Sequence, residues 1–417
     1  MTPRMRLAAL AVLFLLASLA PRPAPAREVW SSGERSIRLR TSVKSTLLLT
    51  RAPLDPILYP ERDNAENLWR ARFEAEARPG RSASILVAYE HRARAATHQV
   101  GLTSGVLPGE APAPYRVRQL DWAITDPPGI GWRHEIDRAS VSFHPARAEV
   151  TVGRQALGWG RGVLFGAVDL FAPFYPLEAD REWRRGVDAA HLDYRFSDRL
   201  SADAVGAFAD RLDESVLAAR ARGYAGKVDG EIIVGSRARD LCVGLTSSLE
   251  AGGAEVHAEL AGFRAPDPVP GAGRNVAKAV LGGSYRLPVG NGLPVYAEYH
   301  YSGFGVAAAR DALARLSDPS YARRFLRGDT QILGRHAAAL VATYEASPEL
   351  SGGLTAIVSP VDGSGVIQPE ASLRLGDRFG IRAIVYLPWG EGPRSGRLGS
   401  FYGATPLTGY LQVRFDD

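Results

Sequence analysis

Apolar and polar side chains take turns along most of this chain. Between positions 68 and 78, Trp69, Ala71, Phe73, Ala75 and Ala77 alternate with Arg70, Arg72, Glu74, Glu76 and Arg78. A period of two puts each set on its own face of a β-strand. Residues 187–196 set Leu192, Tyr194 and Phe196 against His191, Asp193 and Arg195. In 293–303, Val295, Ala297, Tyr299 and Tyr301 oppose Tyr296, Glu298, His300 and Ser302. The same reading gives strands near 37–49, 82–95, 135–143, 148–153, 200–209, 216–225, 229–238, 241–249, 253–264, 275–287, 335–346, 350–359, 366–375, 379–387 and 406–415. A further short strand is expected at 115–122, inside a Gly- and Pro-rich segment, 98–133.

Such strands predict a closed sheet. Packed as a sandwich, several ionisable groups per hairpin would enter a dry core, each costing several kcal/mol unless paired. Curled around a wet lumen, the charged face stays solvated and the apolar face meets lipid. Closure then pairs every backbone group, as a membrane requires. The connections support this. Short ones, such as 79–82, 144–147 and 197–199, alternate with longer ones at 51–66, 98–134, 155–185, 265–274, 304–334 and 388–405. The expectation is an all-β, transmembrane, antiparallel up-and-down barrel of about 18 strands, within 16–18. Its short turns would be periplasmic and its long loops extracellular. An even strand number leaves both termini on the short-turn side.

Two connections stand out. Residues 155–185 are long, Gly-rich and aromatic, containing Gly158-Trp-Gly-Arg-Gly162 and Arg181-Glu-Trp-Arg-Arg185. Loops of this length are usually functional, and this composition favours packing over disorder. They are expected to fold into or over the lumen. Residues 304–334 break the alternation with an Ala-rich stretch from Val306 to Leu316, expected to form one or two short helices in an outer loop.

The first 26 residues look like an address. Arg4 and Arg6 precede the apolar run Leu7–Ala20, and Ala24-Pro-Ala26 offers a small-x-small cleavage site. That is the pattern of a secretory signal peptide, cut near Ala26, leaving 27–417 as a single barrel domain. The chain carries 50 Lys+Arg and 45 Asp+Glu, and three of the arginines lie in this leader. The remaining charge is nearly balanced and interspersed, so nucleic acid is not an expected partner. The single cysteine, Cys242, allows no internal disulfide framework.

Particular residues also carry a likeness. Gly153-Arg-Gln155, Gly158-Trp-Gly160, Asp169-Leu-Phe171 and Pro173 resemble a segment of porin-like bacterial outer-membrane barrels of the alginate-export type. Asp362-Gly-Ser-Gly365, Pro369 and Tyr386-Leu-Pro-Trp-Gly390 are similar to their last hairpins. Pro406 to Phe415 resembles the C-terminal strand signal read by barrel-assembly machinery, but here Asp416 and Asp417 follow the terminal aromatic. The resemblance implies the outer membrane of a Gram-negative bacterium, with membrane lipids, lipopolysaccharide and the assembly machinery as partners. It implies no substrate.

The expected function is therefore a porin-like channel for diffusion of small hydrophilic solutes, anionic or sugar-like. The alternative is a barrel for surface-polysaccharide export, assembly or binding, without an open pore. Selectivity would sit at the narrowest point, where rings of charge sort ions. The constriction candidates are Arg154, Gln155, Trp159, Arg161, Asp169, Arg181, Arg184 and Arg185. Arg70, Arg72, Glu74, Glu76, His191, Asp193, Arg195, Glu298 and His300 are the lumen-facing candidates. No catalytic, cofactor or metal site is expected. The histidines are scattered, and HExxH, CxxC and phosphate-cradling motifs are missing from any convincing context. Glu255, His257 and Glu259 share a strand face, which a metal could use, but that pattern is more often structural.

Overall fold

The computed structural model describes residues 27–98 and 113–417. The leader and residues 99–112 lie outside the described residues. The strands run β1 (Arg27–Ser32), β2 (Arg35–Arg51), β3 (Asp63–Gly80), β4 (Ala83–Ala96), β5 (Asp121–Thr125), β6 (Ile130–Phe143), β7 (Ala148–Gln155), β8 (Val187–Ser197), β9 (Leu200–Ala207) and β10 (Val216–Ala225). They continue as β11 (Val228–Arg237), β12 (Asp240–Ala251), β13 (Ala254–Val269), β14 (Gly273–Leu287), β15 (Leu293–Ser302), β16 (His336–Glu345), β17 (Leu350–Val358), β18 (Gly365–Leu375), β19 (Phe379–Trp389) and β20 (Leu407–Asp416).

Each of the long strands pairs antiparallel with its neighbours, and β2 pairs with β20 from Ser42↔Asp416 to Arg51↔Leu407. The sheet thus closes into an 18-strand antiparallel barrel of porin-like fold, with β1 and β5 as additional short strands. β1 folds back on the start of β2, where β20 has ended. β5 borders the upper part of β6, beside the stretch that pairs with β7. The two acidic residues after Phe415 extend the closing seam. Ser42 Oγ donates to Asp416 Oδ1 at 2.6 Å, and Asp417 N donates to Thr41 O at 2.8 Å.

The two faces differ as the alternation predicts. Leu217, Ile232, Val243, Leu260, Leu281 and Tyr194 are exposed on the outside. Contiguous apolar surface of this extent marks a lipid-facing wall. Lys44, Arg70, Arg72, Glu90, Glu135 and Asp137 are buried on the inside. One sector departs from the rule. Val205, Val216, Ile233, Phe263, Val276 and Val280 also point inward and are buried, forming one core with Trp159, Phe165, Leu170 and Phe171. The inner wall is apolar there because residues 156–186 pack on it.

One local expectation changes, and another is made specific. The extra strand lies at Asp121–Thr125, later than 115–122. Tyr115 and Arg116 turn inward instead: Arg116 donates to Glu135 Oε2 at 2.8 Å and to Gly186 O at 3.0 Å. The helices of the outer loop are Ala312–Leu316 and Pro319–Leu326, after a 3-10 turn at Ala309–Asp311. Asp318 caps the second through Ser320 N at 2.8 Å, and Pro319 occupies its first turn.

Candidate functional site: the loop across the barrel

Residues 156–186 leave β7 and return to β8, and the ends of these strands are fixed first. Arg154 is buried and donates twice to Asp188, at 2.6 and 3.0 Å, and once to Ile136 O at 2.9 Å. Gln155 Nε2 donates to Thr151 O and Ala189 O, both at 3.2 Å. These two side chains root the loop in the wall.

A near limb, residues 157–168, follows the wall formed by β10 to β15. Its backbone does most of the bonding. Gly162 N, Ala167 N and Val168 N donate to Glu259 at 2.9, 2.7 and 3.3 Å, joined by Arg161 N. Leu164 N and Phe165 N donate to Glu298 at 2.9 and 3.2 Å, joined by Val163 N. The Arg161 guanidinium is held by both oxygens of Asp229 at 2.8 Å and by Thr246 Oγ1 at 3.2 Å. Trp159 meets Phe171 edge-on at 5.0 Å, with the Arg220 guanidinium 4.9 Å from its ring. Phe165 stacks on His300 at 5.1 Å.

The middle of the loop is tied to the outer loop. Gly166 N donates to Gln331 Oε1 at 2.8 Å, and Gln331 Nε2 donates to Phe174 O at 2.7 Å. Asp169 pairs with Arg184, which also donates to Ala172 O at 2.8 Å.

A far limb, residues 175–184, reaches β2, β3, β19 and β20. Lys44 Nζ lies 2.8 Å from Asp180 and 2.7 Å from Glu182, and Arg70 Nη1 lies 3.2 Å from Asp180. Arg414 grips both oxygens of Glu182 at 2.8 Å, and Arg382 Nη1 donates to Ala179 O at 2.6 Å. Trp183 sits among three cations, with Lys44 3.9 Å, Arg70 5.0 Å and Arg72 5.1 Å from its ring. Arg181 joins the limbs: it donates to Glu178 O, Tyr175 O and Pro176 O on its own side and to Val163 O, 3.1 Å away, on the other.

Burial sets the titration of the far limb. It pushes the Asp180 carboxyl up, but Lys44 and Arg70 outweigh it and the pKa falls below the ordinary value. Glu178, where burial wins over Arg181 and Arg185, is raised. Burial lowers Arg181, and it lowers Arg185 to about 10, helped by Arg116 and Arg92. All of these arginines stay charged near neutral pH.

Many of the other charged side chains on the inner face form pairs or lie near the rim. Arg70 spans Glu90 at 3.2 and 2.9 Å, and Arg72 reaches Asp137 at 2.8 Å. Glu74 accepts from Arg40 at 3.2 Å and Glu76 from Arg78 at 2.7 Å. His191 lies 3.2 Å from Asp203, Asp193 pairs with Arg222, and Arg195 is exposed toward the short turns. Glu255, His257 and Glu259 do not converge, since Glu259 faces the loop and His257 Nε2 lies 3.3 Å from Glu298. Sequence reasoning missed Lys44, Asp180 and Asp229 as loop anchors and gave Glu259 no such role. Their partners lie from 68 to 136 residues away, so no local spacing marks them.

No protein-family model matches the chain, and no curated protein matches it. Solved structures do. Acinetobacter baumannii OccAB3 is similar with a TM-score of 0.55 at 8% identity, covering 91% of this chain and 99% of that one. Acinetobacter baumannii OccAB1 follows at 0.54 and 9% identity, covering 91% and 95%. A BenF-like porin from Pseudomonas fluorescens Pf-5 gives 0.53 and 9%, covering 91% and 98%. The likeness extends over nearly the whole of each chain, and at these identities it is a likeness of fold.

Proposed function

We propose that this protein is an outer-membrane, porin-like channel through which small hydrophilic solutes diffuse, with residues 156–186 as its constriction. The observation that carries this reading is the anchoring of one loop to inward-facing groups on both sides of a closed barrel. Such a loop narrows the lumen without depending on outside contacts. The barrel would sit among lipids and lipopolysaccharide, and strand 406–415 would address the assembly machinery.

The chemistry of the aperture follows from its partly exposed side chains. Arg161, Arg184, Glu182, Arg382, Glu370 and Arg414 keep about a fifth to a third of their side-chain surface accessible. Each of them is paired, Arg382 with Glu370 at 2.6 and 2.7 Å among them. Paired charges present dipoles more than net charge, which suits neutral polar solutes such as sugars and leaves ion selectivity weak. Arg154 and Gln155 act as the loop's roots on this reading, and Arg161, Arg181 and Arg184 lie nearest the path.

A second reading comes from the alginate-export likeness of Gly153–Gln155 and Gly158–Gly160. It takes the barrel as an export or assembly element for surface polysaccharide, and the firm seating of both limbs favours it. Liposome swelling separates the two. Rapid swelling in small sugars supports the channel, whereas liposomes bearing folded barrel that swell no faster than empty ones support the second reading.

A further inference from the structure

A buried carboxylate is usually neutralised by a cation. Among the described residues, Glu259 and Glu298 are instead met by backbone. Seven consecutive or nearly consecutive N–H groups of residues 161–168 converge on them; the His257 ring lies 3.3 Å from Glu298, and Lys278 and Arg181 attract Glu259 and Glu298 respectively without an ion-pair contact. Concave runs of main-chain N–H groups make anion-binding nests. Here the loop wraps two such nests around carboxylates supplied by β13 and β15.

The local sequence is built for that approach. Gly160 has φ +109°, and a Cβ there would lie 2.8 Å from Glu259 Oε1. A Cβ on Gly162 would fall 1.8 Å from Phe165 O, closing the turn that presents Val163, Leu164 and Phe165 to Glu298. The Gly158-Trp-Gly-Arg-Gly162 motif therefore serves the main-chain grip on wall carboxylates. Val163, the first residue of the Glu298 nest, keeps its own side chain exposed.

We infer that Glu259 and Glu298 are positioning residues that set the aperture of the channel, by holding residues 161–168 against one wall. Freed of them, the near limb swings into the open lumen while the far limb stays tethered by its ion pairs. This rests on the channel reading, and the two can fail separately. Glutamine keeps the shape of each side chain but offers an amide NH2 where the nests need an acceptor.

The test uses the full-length protein with a nitroxide on Val163→Cys in a Cys242→Ala background. With both glutamates present, the label's spectrum should be that of an ordered site. In the E259Q/E298Q variant a mobile component should appear, and planar-bilayer currents should show brief closures about tenfold more often, since losing even one charge-assisted hydrogen bond shifts a local equilibrium by about that factor. If the double variant does not yield a heat-modifiable barrel, the single variant E298Q is read in the same way. A label that stays ordered overturns the inference. So does a mobile label with unchanged currents, which would separate the limb from the aperture. A wild-type protein that carries no current would defeat the channel reading, while the label would still report on the grip.

Discussion

The two limbs of the crossing loop are held by different chemistry. The near limb gives backbone N–H groups to two wall carboxylates and buries Trp159, Phe165 and Phe171 in an apolar sector. The far limb gives the carboxylates itself, Asp180 and Glu182, to the wall cations Lys44, Arg70 and Arg414. One limb is a ligand for wall anions and the other for wall cations. A single loop therefore draws opposite charges to opposite sides of the barrel. The difference also predicts response. Main-chain bonds against an apolar wall resist salt, as do the buried Asp180 pairs, whereas the partly exposed Glu182–Arg414 pair is screened.

The comparison breaks most sharply at Asp180. Lys44 is buried, and Asp180→Asn leaves it with Glu182 alone while Arg70 loses one of two partners. Removing one member of a buried ionic cluster costs about 3–5 kcal/mol. The thermal midpoint of the detergent-solubilised barrel should fall, and a label on the far limb should become mobile. An unchanged midpoint would show that the far limb is held by something else.

Charge reversal at Arg161 should have a smaller effect, on selectivity more than stability. Arg161→Glu places a third carboxylate beside Asp229 and Glu231. The zero-current potential in a salt gradient should move toward cations. An unmoved potential would put the near limb outside the ion path.

Acid should separate the limbs within a stated window. Asp180 has a lowered pKa, so its contribution is complete above about 3.9 and is lost as pH falls through its still lower folded value. Glu178 is raised, so acidification through the range just above about 4.3 protonates it in the folded state and adds stability. A far-limb label should stay ordered from pH 7 to about 4.3 and loosen only below about 3.9. Loosening that begins near pH 6 would contradict the assignment.

The smallest effect is expected at the rim of the far limb. Arg414 and Glu182 each keep about a third of their side-chain surface exposed, so Arg414→Ala should cost less than about 1 kcal/mol. Added salt should largely erase the difference from wild type.

What the sequence disclosed follows from where alternation operates. Between Arg70 and Arg78 one face meets lipid and the other water, and the pattern is clean. From Asp63 to Asn67 the ladder with β2 continues, but alternation has stopped, so the start of β3 is read late. In Ile232-Ile-Val234 it fails for another reason. Ile232 and Val234 face outward, and Ile233 faces an inner wall made apolar by the docked loop. The loop itself was conspicuous by its glycines and aromatics, yet its partners were not legible. Arg154 and Arg161 look alike in sequence. One is locked into the wall beside Asp188, and the other reaches Asp229 from the loop. Only the closure of the sheet distinguishes them.

Single-channel recording in planar bilayers tests the central claim most directly. Wild-type protein, shown to be a folded barrel by its heat modifiability, should insert in discrete steps of ohmic current with weak ion preference. Folded protein that inserts and gives no current above the bare bilayer would contradict the account.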